Sequence, residues 1–266
     1  MAKKQGEKRI SRRPIWTGSI TIGLVNVPVK LLTMIFDKGI SFRFLHKHDG
    51  QPLRYDKVCI EENKVVPWEE IIRGYEVRKG QFITFENDEL EAARPESDQR
   101  IRIDKFVDYS TIDPIYFDKS YMLTPDNSED AYSLLLAALE MMGKAGTGRI
   151  TLRTKEYPLI VHAYKGALVL TTLRYAYEVA DPGDLEEPMK LKQPRKDELD
   201  LAMKIVTDLS GQFDSAQYKD AYRERIEKLI QMKLKGERIV FEKPVKEEAK
   251  ELMIALKETL KQLKKK

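Results

Sequence analysis

The stretch GSITIGLVNVPVKL, residues 18–31, alternates like a β-strand and changes phase midway. Ile20, Ile22 and Leu24 occupy even positions, whereas Val25, Val27, Val29 and Leu31 occupy odd ones. Successive strand side chains point to opposite faces, so this segment cannot be one flat strand with one apolar face. The apolar set changes sides between Leu24 and Val25. Gly23 precedes the change, and Pro28, which has no amide donor, suits an edge or a bulge. The pattern predicts a β-bulge or sharp corner in a strongly bent strand, of the kind that closes a small barrel.

The rest of residues 15–125 also reads mostly as strand. Phe42 and Phe44 alternate with Ser41 and Arg43, and QFITFE (81–86) is a short β-rich run. RIRID (100–104) places Arg100 and Arg102 on one face and Ile101 and Ile103 on the other, and PIYFDKSYML (114–123) is aromatic and β-prone. One helix interrupts at 127–146. Asn127 is its candidate N-cap, Leu134, Leu135, Ala138, Leu139 and Met142 form its apolar face, and Gly143 stops it. Strand resumes at 149–154, and 157–175 reads as a hairpin turning at Lys165 and Gly166. The Pro- and charge-rich 181–194 reads as a linker. Helical spacing follows, in Leu199, Ala202, Met203, Val206 and Leu209, then in Tyr218, Tyr222, Ile226, Leu229 and Ile230, and last in Leu252, Met253, Leu256, Leu260 and Leu263. The predicted organisation is a basic segment (1–13), a β core (14–180), the linker and a helical arm (195–266).

With 266 residues, 42% of them hydrophobic, the chain can build a real core. No apolar run reaches the roughly 20 residues of a membrane helix, and the basic N-terminus lacks the apolar stretch of a signal peptide. A single cysteine, Cys59, excludes an intramolecular disulfide and fits a reducing compartment. The net charge is +4, but residues 14–185 hold more Asp and Glu than Lys and Arg. A polyanion held by that region needs its cations sorted onto one face.

Catalytic constellations are scarce. His46, His48, Asp49 and Cys59 lie near one another in sequence, but one thiol without a second Cys pair falls short of a zinc set, so no metal ligand is assigned. His162, inside a hairpin strand, reads as a packed histidine. GKAGTGR (143–149) follows a helix and opens a strand, the reverse of a phosphate loop, and reads as a helix-ending turn. There is no G-x-S-x-G or H-E-x-x-H sequence, so neither catalytic residue nor cofactor is predicted. Arg43 lies between Phe42 and Phe44, Arg54 beside Tyr55, and Arg174 beside Tyr175. Such residues are either the outward faces of half-buried strands or a wall that contacts phosphates. The last apolar stripe (Leu252, Met253, Leu256, Leu260) is either core or a face for a partner.

The blocks IWTGSITIGLVNVPVKL, ISFRFLHK, GYE, FVDYSTIDPIYFDKSYMLTP and LVLTTLRYAYEV, in that order and spacing, resemble the prokaryotic Ku family. ELDLAMKIVTDLSGQFDSAQYKDAYRE resembles that family's C-terminal helical arm, and the likeness runs from about residue 12 to residue 235. It implies a Ku-type β-barrel core with an inserted bridging arm near 36–80, followed by an α-helical C-terminal arm: a mixed β and α fold. It also implies a ring-shaped homodimer that threads onto double-stranded DNA ends without reading sequence. The resemblance further implies that the ring recruits and stimulates an ATP-dependent DNA ligase of the ligase D type for non-homologous end joining, and the expected location is the cytoplasm, in association with the nucleoid.

The likeness has gaps. Asp49 and Glu62 stand where many bacterial relatives have cysteines, and the sequence ends on Lys264, Lys265 and Lys266 where many have a long Lys-rich tail. Neither the zinc site nor a tail-dependent role is carried over. The expected DNA wall comprises Lys30, Arg43, Arg54, Lys57, Arg73, Arg78 and Arg153, with Leu252, Met253, Leu256 and Leu260 facing the ligase. Glu61, Glu62, Glu86, Asp88, Glu89, Glu91, Glu96 and Asp98 are expected outside the channel or on its rim. Two alternatives stand beside this reading: an OB-like barrel for single strands, which needs exposed stacking aromatics, and a lyase for abasic sites using Lys3, Lys4 or Lys8, which needs a lysine of lowered pKa.

Overall fold

The computed structural model describes residues 13–94, 99–184, 192–236 and 259. The phase change in 18–31 is a hairpin, not a bulge. Strand β1 (Trp16–Ile22) and strand β2 (Val25–Thr33) are antiparallel, with Ile22 opposite Val25 and Ile20 opposite Val27. Residues that face each other across a two-residue turn have opposite parity, so even positions of β1 and odd positions of β2 share one face. Gly23, at φ 57°, takes the first position of the turn, where a glycine relieves the strain of a positive φ. Pro28 ends the hydrogen-bonded run between β2 and its other neighbour, and its carbonyl accepts bonds from the Asp126 amide and the Ser128 hydroxyl.

Residues 34–72 contain no strand, so the alternation of Phe42 and Phe44 does not mark one; Leu45 makes only an isolated bridge to Pro52. A two-stranded ribbon follows, β3 (Arg73–Arg78) against β4 (Gln81–Phe85), and then a short helix, α1 (Asn87–Ala92). The chain re-enters the sheet as β5 (Arg100–Asp108), β6 (Phe117–Pro125), helix α2 (Glu129–Met142), β7 (Lys144–Leu152), β8 (Lys155–Tyr164) and β9 (Ala167–Leu173). Seven strands close into a barrel in the order β1-β2-β6-β9-β8-β7-β5. The closing pair, β1 with β5, is parallel, with Ile20 opposite Ile101; the other pairs are antiparallel. A closed barrel with helices is the mixed fold expected from the sequence.

The register shifts of the barrel lie elsewhere, in β5 between Ile103 and Lys105 and in β6 between Phe117 and Ser120, and the ribbon has one in β3 between Glu76 and Arg78. Gly148 packs against the first of these: a Cβ there would lie 1.7 Å from the Arg102 carbonyl oxygen. The segment read as a helix-ending turn at 143–149 is therefore mostly strand, with Gly143 alone serving as the left-handed helix cap. The hairpin turn at Lys165 and Gly166 is as expected, both residues having positive φ.

The barrel interior is filled by Ile20, Val29, Leu31, Ile101, Leu123, Leu159, Val161 and Leu170, among others, and α2 adds Tyr132 and Leu139 to the same core. The face of α2 that packs is thus turned by about one residue from the sequence expectation. Ala131, Tyr132, Leu135, Leu136 and Leu139 face the core, whereas Leu134, Ala138 and Met142 are exposed. Its cap is Ser128, not Asn127.

A second compact unit comprises residues 38–42 and 185–266. Its described part holds helix α3 (Lys196–Asp208) and helix α4 (Ala221–Leu234), two of the expected helices, although Leu209 lies just past α3 and Tyr218 lies before α4. Asp220 caps α4 by accepting the Arg223 amide at 2.9 Å. The Arg223 guanidinium donates to the Lys38 carbonyl at 3.1 Å, tying α4 to the 38–42 segment. No residue of 192–236 is buried. The third helical stripe, with Leu252, Met253, Leu256 and Leu260, lies outside the described residues, as do Lys3, Lys4, Lys8, Glu96 and Asp98.

Candidate nucleic-acid interface

Five of the seven expected cations lie in the long excursion between β2 and β5. Within it, two tight turns are closed by backbone bonds. In the first, the Leu53 amide donates to the Phe44 carbonyl at 3.0 Å and the His46 amide to the Gln51 carbonyl at 2.8 Å. In the second, the Cys59 amide donates to the Lys64 carbonyl at 2.9 Å and the Val66 amide to the Lys57 carbonyl at 2.8 Å. Asp49, at one of the positions where the resemblance places a cysteine, accepts the Gln51 amide at 3.0 Å and pairs with His46 Nδ1 at 3.0 Å. Both contacts hold its carboxyl below the ordinary carboxylate range, the backbone bond more than the histidine. The amides of Glu62 and Glu61 likewise lower the pKa of the Cys59 thiol. Among the described residues, no three His, Cys, Asp or Glu side chains come together as a metal-binding group.

The cations of the excursion are differently placed. The Arg54 side chain is 87% exposed and pairs with Asp56 at 3.2 Å. The Lys57 ammonium sits 4.3 Å from the centre of the Trp68 ring, a cation–π contact that local spacing does not reveal. Arg73 and Arg78 stand at opposite ends of the β3–β4 ribbon, opposite Phe85 and Gln81. Arg43 is exposed next to the first turn.

The remaining two cations belong to the barrel. Lys30 on β2 pairs with Asp126 at 2.6 Å, so much of its charge is already compensated. Arg153 occupies the β7–β8 turn at φ 59° and lines a cleft at that end of the barrel, far in sequence from the excursion. Arg174, another basic residue beside an aromatic one, has a structural role: its guanidinium donates to the carbonyls of Ile115 and Phe117 and pairs with Asp118.

The expected acidic residues are partly accounted for locally. Glu89 accepts the Glu86 amide at the start of α1, Glu91 pairs with Arg94, and Glu62 pairs with Lys64 at 3.7 Å in the second turn. One property covers the whole excursion: no residue from 43 to 94 is buried. Phe44, Tyr55, Ile60, Val65, Trp68, Tyr75 and Phe82 are all exposed there, although backbone hydrogen bonds close the turns and pair the ribbon.

The fold is thus a barrel of seven strands with an excursion that exposes aromatic side chains and charges of both signs and buries no residue of its own. Residues 21–201 match the family model described as the Ku70/Ku80 beta-barrel domain. The chain is 41% identical over 250 residues to a protein of Anaeromyxobacter sp. (strain K) named non-homologous end joining protein Ku, covering 93% of this chain and 83% of that one. Proteins of the same name from Bacillus subtilis (strain 168) and Archaeoglobus fulgidus are 32% and 36% identical, over 97% and 95% of this chain and 84% and 100% of theirs. This chain belongs to the Ku family.

Proposed function

We propose that this protein binds double-stranded DNA ends as a ring-shaped homodimer in non-homologous end joining. The observation that carries the proposal is the excursion: more than fifty consecutive residues are ordered yet bury no side chain within the chain, while presenting large apolar groups beside arginines and lysines. An ordered segment without a core gains one by meeting a partner surface. In this reading the partner is a second copy, and two excursions together enclose the duplex. The family name of the relatives supports the same reading.

Arg43, Arg54, Lys57, Arg73 and Arg78 are the proposed phosphate contacts on the excursion, with Lys30 and Arg153 contributing from the barrel. Affinity then comes from counterion release, is independent of sequence and falls steeply with salt. The role needs no catalytic residue and no cofactor. The partner after end capture is an ATP-dependent DNA ligase of the ligase D type, met by the stripe Leu252, Met253, Leu256 and Leu260, whose helical spacing supports that role. Among the described residues, no helix is long and apolar enough to cross a membrane.

The test is affinity for one duplex sequence in linear and in covalently closed circular form. The linear form binds at least about tenfold more tightly if the protein threads onto ends, since one such factor corresponds to about 1.4 kcal/mol. Equal affinity overturns threading.

A further inference from the structure

The end of the barrel opposite the β1–β2 turn opens into a cleft of about 610 Å³, within the range of small-ligand sites. It is built by the start of β1, the end of β2 with the residues just beyond it, and the turn between β7 and β8, and it includes Arg153 of the proposed phosphate contacts. Trp16, Tyr121 and Tyr157 supply aromatic walls, with Ile35 and Leu152 beside them. The Trp16 Nε1–H is excluded from solvent and has no acceptor; among the described residues it is the only such side-chain atom. With no solvent exposure that donor is out of a ligand's reach, so Trp16 offers the cleft ring surface, which suits a flat partner.

The charges of the lining point the same way. Asp118 is compensated by Arg174 at 3.7 Å and accepts the Thr172 hydroxyl at 3.4 Å. Lys119 and Arg153 have no carboxylate within ion-pair distance among the described residues. The complementary ligand therefore combines a flat ring with an anionic group. We infer that this cleft binds a nucleotide, its base against Trp16, Tyr121 and Tyr157 and its phosphate at Lys119 and Arg153.

Two sources share that chemistry: a free nucleotide, or the unpaired terminal nucleotide of a DNA overhang. The second rests on the end-binding reading above; the first does not. The full chain is titrated with dAMP by equilibrium dialysis, and with one duplex carrying either a blunt end or a short 3′ overhang by fluorescence anisotropy. Lys119→Glu is measured alongside, and an overhang bearing 5-bromodeoxyuridine is photo-cross-linked and mapped by mass spectrometry.

The inference expects saturable dAMP binding, weakened about tenfold by Lys119→Glu, which removes one charge-assisted hydrogen bond. If DNA is the source, the overhang duplex also binds several-fold more tightly than the blunt one, Lys119→Glu removes that gain while leaving blunt-end affinity unchanged, and cross-links map to the cleft. Saturable dAMP binding without an overhang preference assigns the cleft to free nucleotides. The inference is overturned if neither dAMP binding nor an overhang preference is found, if whichever is found persists unchanged in Lys119→Glu, or if an overhang preference without dAMP binding gives cross-links that map only elsewhere. Blunt-end binding without a cleft effect leaves the end-binding reading standing and removes this one; a chain that binds dAMP but no DNA end does the reverse.

Discussion

Tyr132 joins the helix to the barrel through one oxygen. Its hydroxyl donates to the Leu123 carbonyl at 2.8 Å and accepts the Leu168 amide at 2.8 Å, linking α2 to β6 and β9 inside the core. Tyr132→Phe keeps the ring and leaves a buried amide and a buried carbonyl each short of a partner. The expected loss is about 1–3 kcal/mol, read from urea unfolding curves; an unchanged midpoint would show that other groups satisfy both atoms. His162 offers a second residue-scale test. It is buried, with its ring 4.7 Å from that of Tyr109, beside a cleft lined also by Glu140 and Lys144. Burial lowers its pKa, only partly opposed by its bond to the Ala163 carbonyl. The unfolded chain therefore binds this proton at higher pH than the folded one. Stability attributable to His162 is present above its ordinary pKa of 6.5 and is lost as the pH falls from there through the lowered folded value. His162→Phe should flatten the decline in melting temperature between about pH 7 and pH 5. A slope identical to the parent's assigns it to other groups.

Among elements, the β8–β9 hairpin and the helices were legible from sequence, whereas the other hairpins were not, and the errors have physical causes. In 18–31 the reversal of parity was visible, but a bulge and a two-residue turn produce the same reversal. Gly23 at the first turn position, followed by a fully exposed Leu24, distinguishes the hairpin only once pairing is known. In α2, Leu134 and Met142 satisfy helical spacing as well as Leu135 and Leu139 do. A helix with apolar residues on much of its circumference does not reveal which stripe packs; the buried hydroxyl of Tyr132 decides it. The 34–72 segment failed as strand because Phe42 and Phe44 alternate without a neighbouring strand to pair with. Its exposed apolar residues and those of the ribbon that follows yield an element-scale prediction. Tyr75 and Ile83 face each other across the β3–β4 ribbon, 67% and 53% exposed. If that face meets a second copy, Tyr75→Ser with Ile83→Ser shifts the sedimentation profile from dimer to monomer at micromolar concentration and leaves the barrel's melting temperature unchanged. A profile like the parent's removes this face from the interface.

The whole molecule poses a problem of charge sorting. It carries 47 Lys and Arg against 43 Asp and Glu, yet a duplex tolerates few carboxylates at its surface. The expected site residues could be named from sequence because basic and aromatic residues recur in the excursion. Their placement could not, because which cations are already spent depends on pairings distant in sequence, such as Lys30 with Asp126 and Arg174 with Asp118. The exposed pair Arg54 and Lys57 gives the decisive comparison. Their local partners, Asp56 and the Trp68 ring, hold the side chains without burying the charge. Arg54→Glu with Lys57→Glu replaces two attractive groups by two repulsive ones. It should weaken binding to linear duplex by about two orders of magnitude or more and reduce the salt slope by about two, one unit for each phosphate that is no longer neutralised. Glu89→Lys with Glu91→Lys changes the net charge by the same amount in the opposite direction, on α1, where those carboxylates engage the Glu86 amide and Arg94. If the channel is a sorted surface, that second pair leaves end-dependent affinity within about threefold of the parent and raises binding to closed circles instead, as non-specific attraction does. If both double variants simply track net charge, moving affinity for ends and circles alike by equal and opposite factors, the protein holds DNA through its general field and the excursion is not a channel wall.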